Sequence, residues 1–329
     1  MVTQTVDWLA QQLVFINLEI TCWSGKKQLT PEDLGLDRHQ LPPESLVSLG
    51  DKQLIDPAAL REFTRLRSAA RRHCLAVGTR FMGGYAVPVA KAADLLATLD
   101  DLENRYQRAR TAFLDHYDQS LAAWAAQQPA QWQKLIHEAF VPAEYVGGRL
   151  GFAVQAVRVQ APDTDLIDHS GFSDALQGLG AQVFHDIAVM ARESLTTSFQ
   201  GKTAVTRRAL SPLRTMRDKL DGLAFVDSRC RSVVAELDRL LTAAPKGMPI
   251  TGHVLTQICQ FLSLAAQPQG LKTWQAHTPV PETDWMGASV PLTEPSAQAD
   301  VAGADRAQEP DGLNSPALSE NASEPGWFF

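Results

Sequence analysis

Apolar and aromatic residues recur at Leu95, Leu99, Leu102, Tyr106, Ala109, Phe113, Tyr117, Leu121 and Trp124. Steps of three and four put all nine on one face of a helix. Neither Gly nor Pro interrupts the segment, so the pattern predicts one helix over 91–127. Its repeat is heptad-like at first and lengthens as the steps of four accumulate. At 1.5 Å per residue such a helix is roughly 55 Å long and needs a partner for its stripe. A second stripe, Leu176, Leu179, Val183, Ile187 and Met190, predicts a helix over 173–200 that Ser173 and Asp174 cap. A third begins at Ser211-Pro212, an N-cap followed by the proline-tolerant first position. It runs from Leu213 to Leu240 and predicts a helix over 212–242. Leu60, Phe63, Leu66, Ala70, Cys74 and Val77 predict a further helix from Pro57, and 250–267 a last one.

Between the stripes lie short runs of strand formers. LVFINLEITCW reads as a strand within 13–23. GTRFMGGYAVP, residues 78–88, reads as a tight hairpin turning at Gly83-Gly84. A third run, 151–159, follows Gly147, Gly148 and Gly151. The fold class is α+β, predominantly α: long antiparallel coiled-coil-like helices with a small mixed β element near one end.

Charge divides the chain unevenly. From Pro281 onward there are nine acids (Glu282, Asp284, Glu294, Asp300, Asp305, Glu309, Asp311, Glu320, Glu324) and one base, Arg306, a net charge of −8. The whole chain carries −7, so residues 1–280 carry +1. Residues 268–329 lack hydrophobic period and are rich in Pro, Ala, Ser and acids. They read as a disordered acidic C-terminal tail behind a folded body, 1–267. Cys22, Cys74, Cys230 and Cys259 are too far apart for a zinc ribbon or disulfide framework. With no secretory leader pattern and no apolar run of about 18 residues, the expectation is a cytoplasmic location without membrane contact.

Motifs for catalysis are absent or incomplete. FQGKT, residues 199–203, lacks the upstream Gly of a phosphate-binding loop, since position 196 is Thr. Asp163, Asp165, Asp168 and His169 match no EF-hand spacing and read as a solvated turn. None of the eight histidines sits in HExxH, and there is no GxSxG elbow. The reading is therefore non-enzymatic, with no cofactor or metal. An enzyme assembled from distant residues is a further alternative, because such a site needs no local motif.

Three groups of residues are candidates for binding. Arg80, Gly83, Gly84 and Tyr85 form a loop where backbone can approach a ligand closely. Arg61, Arg65, Arg67, Arg71 and Arg72 crowd one helix and offer phosphate neutralisation; their alternative role is to solvate its outer face. Lys202, Arg207, Arg208, Arg214, Arg217 and Lys219 make a second basic stretch.

WSGKKQLTPEDLG, GTRFMGGYAVP and GGRLGFAV, taken in that order, resemble an uncharacterised bacterial domain-of-unknown-function family found on plasmids, integrative conjugative elements and phages. The resemblance spans roughly residues 5–265. It implies a mobile-element cargo protein, encoded near a MoxR-like ATPase and a von Willebrand-type protein. It carries no catalytic residue over to this chain.

A further group, Trp327, Phe328 and Phe329, ends the acidic tail. Aromatics bury large areas, and a few can dominate a small interface. They read as an anchor for a protein partner, an AAA-type ATPase in the context the resemblance implies. Docking on the body is the alternative, and the long stripes also allow self-association.

Overall fold

The computed structural model describes residues 8–158, except 38, 40 and 44, together with 170–267 and 269–271. Residues 269–271, assigned from the sequence to the tail, are described, and Leu271 is buried in the core, which corrects the start of the tail. The acidic residues from Pro281 onward, the aromatic tip and the loop holding Asp163, Asp165, Asp168 and His169 lie outside the described residues.

Strand β1, Leu13–Thr21, is central to the fold. It pairs on one side with β5, Gly84–Pro88, and on the other with β6, Gly151–Val157. Strand β4, Thr79–Phe81, pairs with β5, giving the order β4-β5-β1-β6. All three predicted β segments meet in this one sheet. Every pairing is antiparallel, so the expectation of a mixed sheet is corrected. The consecutive hairpin makes the β4–β5 pairing antiparallel by necessity. Lys26–Gln28 (β2) and Asp51–Gln53 (β3) form a separate polar ribbon that the hydrophobic pattern does not reveal.

Strand parity explains how the sheet is covered. Side chains alternate between faces, and Leu13, Phe15, Phe81 and Ala86 enter one core. Val14, Ile16, Val87 and Phe152 enter another on the opposite face. The first core is built with α6 (Ser170–Ser194), α7 (Ser211–Gly222), α8 (Arg229–Ala243) and α9 (Gly252–Ala265). The second is built with α1 (Arg61–Val77), α2 (Val89–Asp115) and α3 (Tyr117–Ala126). The body is thus a helix–sheet–helix sandwich. Leu13 to Ile16 are buried on both faces, whereas Asn17, Glu19 and Thr21 are exposed and alternate with half-buried Leu18 and Ile20.

The long-helix expectation needs two corrections. The 91–127 segment breaks at His116, which leaves helical geometry at φ −114° and ψ 10°, so α2 and α3 are separate. The break places the Tyr117 hydroxyl where it donates to the Val141 carbonyl at 2.9 Å. Short helices α4 (Ala130–Glu138) and α5 (Ala143–Gly148) flank that carbonyl in sequence. The 212–242 segment likewise divides into α7 and α8. The stripes at 95–124 and 213–240 belong to different cores on opposite sheet faces, so they do not close against each other. The first packs on α1 and the sheet, with Phe63 stacked edge-on against Tyr106 at 5.0 Å. The predicted helix over 173–200 is α6, which starts at Ser170 and ends in a π-turn at Leu195–Phe199.

Candidate functional site

The β4–β5 hairpin is closed by two residues. Phe81 pairs with Gly84, and Met82 and Gly83 turn the chain with φ of 44° and 81°. Positive φ at both central positions is the type I′ arrangement, whose twist matches that of the flanking strands. The turn is therefore Met82-Gly83, one residue earlier than the Gly-Gly pair suggested. Gly84 has another role: a Cβ there would lie 2.5 Å from the Ile16 carbonyl oxygen. Its missing side chain lets β5 approach β1 where β1 runs on past the hairpin.

That step forms a cavity of about 420 Å³ lined by Leu18, Arg71, Arg80, Gly83, Gly84 and Tyr85, among others. All four predicted loop residues are brought together here. Arg71, from α1, joins them, so two separately chosen groups share one wall. Arg80 and Tyr85 are direct cross-strand partners and so share a sheet face. Burial pushes the Tyr85 hydroxyl pKa up, Cys74 adds to this, and the charges of Arg71 and Arg80 oppose it.

The other arginines of the group continue outward from this cavity along α1. At 3.6 residues per turn, Arg61, Arg65 and Arg72 lie opposite the core stripe, and Arg67 and Arg71 lie between the two. The only acid on this helix, Glu62, holds Arg65 at 2.5 and 2.7 Å. Among the described residues, Arg61, Arg67, Arg71, Arg72 and Arg80 make no ion pair. Cations from a helix and a strand thus converge with few carboxylates near them, an arrangement suited to a polyanion.

The second basic stretch is used differently. Lys202 donates to the Thr197 carbonyl, and Arg207 to those of Ala244 and Pro245. Arg217 pairs with Asp238 at 2.9 Å and with Asp221 at 3.2 Å. Lys219 is buried, with only 1% of its surface exposed. These side chains fasten elements to one another. The Gly-Lys-Thr of 201–203 lies in such a connection, with Gly201 at φ 72°.

Lys219 belongs to a polar cluster that sequence reasoning missed. Its ammonium donates to Asp186 Oδ2 at 2.8 Å and to the Leu75 carbonyl at 2.9 Å. Thr79 also donates to Oδ2, at 2.7 Å, and Gln182 donates to Oδ1 at 3.0 Å. Burial lowers the Lys219 pKa from its ordinary value, while the Asp186 charge opposes the shift. Asp186 lies 33 residues before Lys219, so no local spacing announces the pair. No group of three or more potential metal ligands gathers among the described residues. None of the described helices is long and apolar enough to cross a membrane.

The model of a family described as protein of unknown function (DUF3150) matches residues 10–267. The chain belongs to that family. The match covers the whole sandwich, including both walls of the hairpin cavity and the Lys219–Asp186 cluster. The DUF3150 region ends at Gln267, where the body assigned from the sequence ends. No curated protein and no solved structure matches the chain.

Proposed function

We propose that this DUF3150 chain is a non-enzymatic accessory protein of a mobile genetic element, and that its folded body binds nucleic acid. The observation that carries the reading is the meeting of Arg71 and Arg80, from α1 and β4, in one cavity at the end of an arginine-rich helix face. Guanidinium groups suit phosphate oxygens because their planar donors form paired hydrogen bonds. The Met82-Gly83 turn lets a backbone come close to the same cavity. Groove-reading motifs are not required, since phosphate neutralisation alone supplies sequence-independent binding.

The test is fluorescence anisotropy of a labelled DNA duplex against salt, using the full chain and a form cut after Val280. Affinity should fall steeply with salt and rise when the acidic tail is removed. An Arg71→Ala/Arg80→Ala double variant should lower the log–log salt slope by about 2. Absence of binding at low salt by the shortened protein overturns the proposal.

A second reading is favoured by Trp327, Phe328 and Phe329 following nine acids in the tail. In it these aromatics recruit a protein partner, a MoxR-like ATPase in the mobile-element context that the resemblance implies. Acids around an apolar tip steer it toward a basic rim. Removing the last three residues should abolish co-purification of the neighbouring ATPase and leave the circular-dichroism spectrum unchanged. Retained co-purification rejects this role.

A further inference from the structure

A second cavity, of about 530 Å³, lies on the other side of Arg80, between α1, α6 and α7. Its walls differ from those of the hairpin cavity. Leu75 and Ala76 of α1 and Val189 and Met190 of α6 make it mainly apolar, and Arg72, Arg80, His185 and Glu193 supply charge or polarity at its margin. Such a space, with apolar walls and a few convergent polar groups, suits a small molecule.

The polar groups decide which kind. Asp186 also borders the cavity, but both its oxygens are engaged, by Lys219, Thr79 and Gln182. Its negative charge is therefore neutralised from beneath by a buried ammonium. Glu193 stands seven residues further along α6, about 10 Å at 1.5 Å per residue. Among the described residues Arg72 and Arg80 form no ion pair. With Asp186 neutralised by Lys219, two arginines face a single remaining carboxylate, Glu193, so the cavity carries net positive charge beside an apolar wall.

We propose that this cavity binds a small organic anion, with a carboxylate or phosphate head held by Arg72 and Arg80 and an apolar body against Leu75, Ala76, Val189 and Met190. Head and body are recognised by different walls, so neither inorganic phosphate nor a neutral hydrocarbon satisfies the site. The site shares Arg80 with the nucleic-acid reading but not Arg71 or the hairpin turn. Its apolar wall and Arg72 distinguish the two, because a nucleic acid offers no alkyl body to that wall.

The test is calorimetric titration of the full chain with octanoate, octyl phosphate and octylammonium. At least one of the anions should saturate at one per chain, and octylammonium should give no saturable heat. The tighter of the two anions identifies the head group. Arg72→Glu, at an exposed position, should weaken binding by about tenfold or more through loss of one charged contact and gain of a repulsive one. Ala76→Trp should abolish binding by filling the cavity. If Ala76→Trp does not fold, Arg72→Glu decides alone. No saturation by either anion, equal uptake of octylammonium, or unchanged affinity in Arg72→Glu overturns the proposal.

Discussion

Lys219 Nζ stands 2.8 Å from Asp186 Oδ2, joining α7 to α6 where both meet the end of α1. The pair is unequal. The Lys219 side chain is fully buried, whereas that of Asp186 retains 11% exposure and has two further donors, Thr79 and Gln182. Removing either partner therefore has different consequences. Among the described residues, Asp186→Ala leaves the buried cation with the Leu75 carbonyl alone, which should cost about 3–5 kcal/mol. Lys219→Met removes the cation, fills similar volume and leaves the carboxylate its other donors. It should cost distinctly less. Urea unfolding of the two variants checks the order, and a Lys219→Met loss equal to or above that of Asp186→Ala contradicts this account.

The cysteines should separate by reactivity. Burial pushes the thiols of Cys74 and Cys230 up to about 12, with Asp227 adding to the shift at Cys230. Cys22 and Cys259 are only partly buried. A thiol reagent at pH 8 should modify the latter two while the fold persists and reach Cys74 and Cys230 only on unfolding, because the thiolate is the reactive form. Peptide mapping after timed labelling distinguishes the pairs.

The same burial gives a pH dependence with a definite sign. In the unfolded chain these thiols ionise near 9.0, and in the fold they keep their protons to about 12. Between those values the unfolded state binds fewer protons, so stability falls as pH rises. Each thiol contributes a slope of about 1.4 kcal/mol per pH unit within that window and nothing below it. Midpoints of thermal unfolding measured from pH 8 to 11 should decline, and Cys74→Ala should flatten the decline even if it lowers the midpoint throughout.

Met82 should be a site of gain. It holds φ at 44° and is 73% exposed, so its side chain contributes little packing while its backbone occupies a region that suits glycine or asparagine. Met82→Gly or Met82→Asn should stabilise the protein by about 0.5–1 kcal/mol, in line with relief of left-handed strain. Chemical denaturation reads the change directly. A loss of stability in both variants means that Met82 makes contacts worth more than its strain.

Local patterns made the strands and most helix faces legible. The nine-position stripe is an instance: Leu95, Leu99, Leu102, Tyr106, Tyr117 and Leu121 are all buried. Continuity was not legible, because His116 is no helix breaker. What ends α2 there is geometry, with the His116 ring bonded back to the Ala112 carbonyl at 2.9 Å and Tyr117 fastened to Val141. Pairing was equally hidden. A stripe states that a helix has an apolar face, but the parity of β1 decides which core receives it. For the site, GTRFMGGY marked the hairpin and the arginine run marked α1. Their meeting depends on the sheet placing Tyr85 and Arg80 on the face toward α1. The Lys219–Asp186 pair left no sequence signal, since its members stand 33 residues apart on different helices.

Gly84 offers the sharpest test of how the hairpin cavity is built. Its neighbour Gly83 has positive φ, but a methyl group there would meet nothing within 4 Å, whereas at Gly84 the nearest atom would be the Ile16 carbonyl oxygen at 2.5 Å. An oxygen of the central strand cannot rotate away as a flexible side chain would. Gly84→Ala must therefore push β5 from β1, disturbing the pairing of Ile16 with Tyr85 and moving Tyr85 and Arg80 relative to Arg71. The expected cost is about 1–3 kcal/mol by analogy with overpacking in a dense interior. Gly83→Ala should cost about 1 kcal/mol, from backbone strain alone. DNA affinity should fall with Gly84→Ala and hold with Gly83→Ala under conditions where both remain folded. Equal effects of the two substitutions on binding would mean that close approach of β5 to β1 does not shape the cavity.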